Sequence, residues 1–253
     1  MANVFQSLRW AHITAGSIAL IVFWIPIFAR KGGRNHVRAG WIYVALMSVV
    51  VLTAFVMSGL IFAMPVAIRR TNQLVPGGEL GVFLRNQRVF ATFLAYLAAV
   101  TLALGWQGIR AVETRRDSRK MRTPFTLALN AAIVLGGGIV LGLGLRYGKG
   151  PLIGMSAIGP VLGAINLRYL LRGPRERMHW WYVHLGSMIG TGIAGYTAFV
   201  VFGGAQLFPF IFKTQLRTIF WLFPTMIGVP AIFFWIASYR RQFARPTGQA
   251  AAI

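Results

Sequence analysis

Cysteine is missing from this chain, and acidic residues are scarce, with four Asp and Glu against 26 Lys and Arg. A chain without cysteine forms no disulfide bonds and offers no thiolate ligands for metals or iron–sulfur clusters. The sequence also contains no P-loop, nucleophile elbow or HExxH motif. Their absence argues against a hydrolytic enzyme.

Charged residues of both signs are few. They make up 12% of the chain, and hydrophobic residues make up 57%, whereas soluble domains carry about 25% charged residues. We therefore predict an integral membrane protein. The four acids lie between the long apolar runs, and the lack of an intramembrane carboxylate argues against an ion-coupled transporter or pump.

The apolar runs are long enough to cross about 30 Å of hydrocarbon, which takes roughly 20 residues of helix. They predict an all-α polytopic membrane bundle that forms a single domain over residues 1–253. The seven predicted spans lie near residues 10–29, 39–66, 89–109, 125–145, 151–171, 181–203 and 217–238. The fifth is the weakest because Pro160 lies in its middle, so a re-entrant segment is the alternative there.

The basic residues predict the orientation, since short cytoplasmic loops collect Lys and Arg. With the N-terminus outside and the C-terminus inside, the inner segments hold 17 of the 26 basic residues. These segments are ARKGGRNHVR, RAVETRRDSRKMR, the turn from Arg168 to Arg177 and the tail YRRQFAR. No secretory signal is evident, so the first span is expected to be retained.

A net charge of +22 would indicate a nucleic-acid partner in a soluble chain. Here the basic residues lie in loops between spans, so we predict anionic lipid headgroups as the partner and no nucleic acid. The predicted lipid-facing cluster is Arg115, Arg116, Arg119, Lys120 and Arg122.

Glycine spacing predicts where helices approach one another. Small residues four apart allow close backbone contact between membrane helices, and the pairs here are Gly138/Gly142, Gly159/Gly163 and Gly186/Gly190. Thr123-Pro124 predicts a helix that begins at Pro124, because proline is favoured at the first helical position.

Histidine is the residue type left to carry chemistry, because neutral imidazole ligates haem iron and metals. His36, His179 and His184 lie at the inner ends of spans two and six, and all three are metal-ligand candidates. His12 lies about 26 Å from the inner end of span one and cannot share their site.

Two faces suggest a cofactor pocket. On span two, His36, Gly40 and Tyr43 follow helical spacing. On span six, His184, Met188, Gly192 and Gly195 do the same. A histidine beside a small residue on each of two helices would suit one haem b, with Arg34, Arg38, Arg172 and Arg175 available to its propionates. The structural alternative is an interfacial belt of Trp41, Trp180, Trp181 and Tyr182, in which the histidines are polar anchors.

The segment HITAGSIALIVFWIPIFARKGGRNHVRAGWIYVALM resembles predicted multi-pass bacterial membrane proteins grouped as a family of unknown function. The resemblance continues in WWYVHLGSMIGTGIAGYTAFVV and WLFPTMIGVPAIFFW, and it implies a bacterial inner-membrane location without a known reaction. The matching positions are His12, Gly16, Lys31, Gly32, His36, Gly40, Tyr43 and His184. A looser similarity to transmembrane b-type cytochromes implies haem, with a histidine pair on the inner side alone.

Two hypotheses follow. The first is an electron carrier with one haem b between His36 and His184. The second is a membrane protein that binds a lipid, a quinone-like molecule, a membrane partner or another copy of itself.

The orientation predicts the behaviour of reporter fusions. A reporter that is active only in the cytoplasm should be active when fused after Arg245 and silent in the 203–216 loop, because of the 17 to 9 distribution of basic residues. The opposite pattern would overturn the orientation.

Overall fold

The computed structural model describes residues 2–69, 79–207, 209 and 217–244. Within these residues it is helical and contains no strand, which confirms the all-α class. The 203–216 loop and the basic tail lie partly outside the described residues. The helices are α1 (Ala2–Val22), α2 (Trp24–Phe28), α3 (Arg34–Ala63), α4 (Pro65–Arg69), α5 (Leu80–Thr114), α6 (Pro124–Tyr147), α7 (Gly150–Ser156), α8 (Ile158–Arg172), α9 (His179–Ala198), α10 (Ala205–Leu207) and α11 (Arg217–Ala244).

Seven helical stretches of the described chain are long and apolar enough to cross a membrane, which confirms the seven predicted spans. They are Ala2–Phe28, Arg34–Ala63, Leu80–Thr114, Pro124–Tyr147, Gly150–Arg172, His179–Gly204 and Trp221–Phe243. Helix α6 begins at Pro124, as the Thr123-Pro124 pair predicts. Helix α5 ends later than predicted, so Glu113 lies in its last turn and not in a loop. This acid is exposed and pairs with Arg110.

The chain divides into two units, the first formed by Met1–Ala103 and Pro124–Leu167. In this unit α1 and α3 pack closely, with Ala15 and Ala19 of α1 buried. Tyr43 on α3 is 3% exposed, and its ring centroid lies 5.6 Å from that of Phe23. The apolar face of span two thus packs on the first span, which is what stabilises this helix pair in the absence of a hydrophobic driving force.

The fifth span consists of α7 and α8, with a break at Ala157. Pro160 has no N–H, so the carbonyl of Ser156 loses its usual helical donor. The hydroxyl of Tyr96 on α5 takes that place and donates to the Ser156 oxygen at 2.9 Å. The same hydroxyl oxygen accepts the Gly159 N–H at 2.7 Å. One tyrosine therefore satisfies both of these backbone groups, and the segment is long and apolar enough to cross a membrane.

Two of the three glycine pairs make the predicted contacts. A Cβ on Gly159 would lie 2.8 Å from the Tyr96 hydroxyl, and Gly163 packs on Val134 of α6. A Cβ on Gly190 would lie 3.2 Å from the Leu104 side chain, and a Cβ on Gly186 would be in ordinary van der Waals contact with Ile232.

The Gly138/Gly142 prediction is wrong, since a Cβ at either position meets nothing within 4 Å among the described residues. The tight face of α6 carries Gly137 and Gly144, where a Cβ would lie 2.6 Å from Ser156 O and 2.8 Å from Ile153 Cγ1. Neighbouring residues on a helix are about 100° apart, so a shift of one position changes the face.

The second unit comprises Leu104–Thr123 and Arg168–Ile253. Helices α9 and α11 pack along each other, and aromatic rings gather where α9 begins and α11 ends. The Trp181 ring centroid lies 4.2 Å from that of Tyr239 and 5.7 Å from that of Phe243. This cluster fixes the start of α9 beside the end of α11.

Replacing Tyr96 with phenylalanine should destabilise the protein. The ring is retained, but the Ser156 carbonyl and the Gly159 N–H lose their partner, a cost of about 1–3 kcal/mol. Tyr147→Phe is the matched control, because that hydroxyl makes no hydrogen bond within the described chain while its ring lies 5.2 Å from the Arg85 guanidinium. Thermal unfolding in detergent, followed by circular dichroism, should show a lower midpoint for Tyr96→Phe alone. Equal midpoints would contradict the role of this hydroxyl.

Candidate functional site

His36 and Lys31 cap the end of the first span. The Nδ1 atom of His36 lies 3.0 Å from the Pro26 carbonyl oxygen, and Lys31 Nζ donates to the same oxygen at 2.9 Å and to Ile27 O. These carbonyls belong to the last turn of α2, where helical donors are missing. Burial lowers the pKa of the Lys31 ammonium, because the protein removes water from it.

Gly32 completes this cap. Its φ of 73° lies in the left-handed region, which glycine adopts without a steric cost. Gly33 then lies immediately before α3. Lys31, Gly32 and His36 belong to the sequence pattern on which the resemblance is based. In the structure they form one cap, which ends span one and begins span two.

His12 joins the first two spans. Its Nδ1 lies 3.1 Å from Val50 O and 2.9 Å from Thr53 Oγ1, and Thr53 itself donates to the backbone of α3. Interhelical hydrogen bonds of this kind are one way in which membrane helices associate. His12 therefore has a structural role at the contact between α1 and α3.

His184 makes a similar contact in the second unit. Its Nδ1 lies 3.0 Å from the carbonyl oxygen of Gly108 on α5. A Cβ on Gly108 would lie 2.9 Å from Met188 Sδ and 3.2 Å from Ser187 Cβ. Gly108 therefore lets α5 and α9 approach closely, and Met188 fills the space beside it.

The four histidines differ in which ring nitrogen carries a proton. A carbonyl oxygen can only accept, so in His12, His36 and His184 the Nδ1 donates, and in the neutral ring the lone pair is on Nε2. His179 is the reverse, because its Nδ1 accepts the Arg175 N–H at 2.9 Å. Its ring also lies edge-on to Tyr169, with centroids 5.1 Å apart. His179 thus anchors the turn before α9.

The predicted cofactor residues fall in separate units. His36, Gly40 and Tyr43 are in the first unit, and His184 and Met188 are in the second. A Cβ on Gly40 would meet no described atom within 4 Å, whereas Tyr43 and Met188 are engaged in helix packing inside their own units. Among the described residues no three His, Asp or Glu side chains come together as a metal site. A pocket shared by His36 and His184 stays a prediction.

The arginine-rich loops form the second candidate site. The loop after α5 and the end of α8 are tied together by Arg122, whose Nε donates to Leu170 O at 2.8 Å and whose Nη2 donates to Leu171 O at 3.1 Å. Arg115 lies with its guanidinium carbon 6.0 Å from the centre of the Trp180 ring. These two members of the predicted lipid cluster therefore have contacts within the protein.

The other members of the cluster extend outward. Arg116 and Arg119 are exposed, and neither side chain has an ion pair or hydrogen bond within the described part of the chain. Lys120 is exposed and has a long contact, 3.9 Å, with Asp117. These three cations are available to a ligand outside the protein.

A concavity of about 390 Å³ lies beside this loop, lined by Arg116, Pro174, Arg175, Glu176 and Arg177. Glu176 is held by Arg240 of α11, with Nη2–Oε1 2.8 Å and Nε–Oε2 3.1 Å. No local sequence pattern indicates this pair, since its members are 64 residues apart. Charge counting does not single out Arg177 either, because it cannot separate one loop arginine from another.

Comparison of the chain with family models, with curated proteins and with solved structures found no match.

Proposed function

We propose that this chain is a multi-pass protein of a bacterial cytoplasmic membrane that binds anionic phospholipid through its inner, arginine-rich loops. The seven apolar helices among its described residues support the membrane location. In the proposed orientation, the N-terminus is outside and the C-terminus is inside. The loop after α5 and the loop between α8 and α9 then lie on the cytoplasmic side, where anionic lipids attract basic segments.

The observation that carries the proposal is the set of exposed basic side chains that the protein leaves unpaired. Arg116 and Arg119 have no described ion pair, and the nearby acid Glu113 is engaged by Arg110. A basic residue at a charged membrane surface contributes about 1 kcal/mol to lipid attraction. Several such residues at the ends of adjacent spans would give a lasting association.

Native mass spectrometry tests this proposal. The purified protein should retain cardiolipin or phosphatidylglycerol, and Arg116→Gln/Arg119→Gln/Lys120→Gln should retain less, because three charges next to the headgroups are lost. Arg115 and Arg122 are left intact, since their contacts hold the loop. The matched control removes three basic residues from the opposite side, Arg9→Gln/Arg146→Gln/Lys149→Gln. Equal lipid retention by the two variants would contradict the proposal.

An electron carrier with one haem b is the second candidate. It is supported by the ring orientation of His36 and His184, since a ligating histidine usually donates its other ring N–H to a carbonyl or carboxylate. Haem would supply one-electron chemistry, and the histidines would hold it through nitrogen.

A visible spectrum tests the haem candidate. Protein produced with ample haem precursor should give a pyridine-haemochrome signal of about one haem per chain. His36→Ala and His184→Ala should each lose that signal, while His179→Ala, whose Nδ1 accepts a backbone N–H, should keep it. Protein that is colourless under these conditions would rule the candidate out.

A further inference from the structure

We infer that the concavity lined by Arg116, Arg175 and Arg177 is a discrete binding site for one phosphate group of an anionic phospholipid. This inference rests on the proposed function, that the loops bind such lipids, and it names the residues that take the first lipid. A discrete site differs from a diffuse electrostatic attraction of lipids because it requires a fixed arrangement of the three arginines.

The loop after α5 supplies one wall. Arg115 has a φ of 49°, an uncommon conformation for a residue other than glycine, and the Tyr169 hydroxyl donates to its carbonyl oxygen at 3.4 Å. Arg122 fastens the far end of this loop to the last turn of α8. The turn at Arg115 directs the following residue, Arg116, to the edge of the concavity.

The loop between α8 and α9 supplies the other wall. It begins at Gly173, with φ 76°, whose N–H donates to Tyr169 O at 3.0 Å. It ends where the Arg175 N–H donates to His179 Nδ1 and the His179 N–H donates to Glu176 O at 3.1 Å. Both ends are therefore fixed by hydrogen bonds, and Arg175 and Arg177 extend from a held backbone.

The charges in the concavity favour an anion. Arg116, Arg175 and Arg177 are exposed, and none has an ion pair among the described residues. Glu176 is the acid within the lining, and its two oxygens are both occupied by Arg240. Arginine presents several N–H donors in a planar fork that matches phosphate oxygens. The N-terminus of α9, which begins at His179, adds a favourable dipole.

The position along the chain indicates a lipid as the source of the phosphate. Trp180, Trp181 and Tyr182 follow the loop directly and begin the sixth span, and such aromatic residues lie at headgroup depth. The concavity is thus placed where lipid phosphates are concentrated. Its open form leaves the rest of the headgroup and the acyl chains outside.

Titration of the full-length protein in detergent with short-chain phosphatidylglycerol, read by native mass spectrometry, measures the affinity of the first bound lipid. Arg175→Gln/Arg177→Gln should weaken it by about tenfold or more, because two charge-assisted hydrogen-bonding groups are lost. Arg119→Gln/Lys120→Gln removes the same charge outside the concavity, so it should lower the total number of bound lipids while leaving the first affinity within about twofold.

A second pair of variants tests the role of Arg240. Arg240→Gln should also weaken the first lipid, because Glu176 is released and repels the phosphate. Adding Glu176→Gln to that variant should restore the affinity, which a purely structural loss at the end of α11 would not do. Thermal unfolding of each variant identifies any that fail to fold, and the rescue comparison remains valid among those that fold.

The outcomes separate the two proposals. If the wild type binds lipid but Arg175→Gln/Arg177→Gln binds the first lipid unchanged, the discrete site is wrong and the general lipid association stands. If the wild type retains no anionic lipid, both are wrong. If inorganic phosphate displaces the lipid at equal concentration, the site takes soluble phosphate, and the lipid assignment is overturned.

Discussion

A backbone carbonyl inside a membrane must have a donor, because no water is present to replace a missing helical N–H. Much of this structure depends on that constraint. The Tyr96 hydroxyl serves the carbonyl that Pro160 leaves open, and Lys31 and His36 serve the last turn of α2. Arg122 likewise donates to the last carbonyls of α8, at an exposed end of that helix. Side chains in the described part of the chain do not all meet this standard, since the amide of Gln107 is 1% exposed and has no hydrogen-bond partner.

This constraint separates structural from functional polar residues. Side chains that serve a carbonyl are committed to the fold, and replacing them would test stability before it tested binding. Arg116, Arg175 and Arg177 have no such duty in the described structure. The proposed lipid site therefore consists of arginines whose backbones are held in place by the fold. Their guanidinium groups have no ion pair among the described residues.

The histidines show why residue type alone is a weak guide to function. An imidazole that donates from Nδ1 can hydrogen-bond to a neighbouring helix. The same tautomer can also ligate a metal or haem iron through Nε2. His12 makes the contact between α1 and α3, and His184 makes it between α5 and α9. Met188 packs on Gly108 and Tyr43 packs on Phe23. These contacts favour a role in helix packing for His184 and His36, and they support lipid binding over haem binding as the function.

Hydropathy, the scarcity of acids and the Thr123-Pro124 pair determined the membrane class, the seven spans and the start of α6, because each is a local property of a chain segment. The choice between Gly137 and Gly138 as the packing face, the repair of the fifth span by Tyr96 and the neutralisation of Glu176 by Arg240 were decided by tertiary structure alone. Each depends on a partner tens of residues away. A one-residue step turns a helix by about 100°, so composition and spacing cannot specify which atoms finally meet.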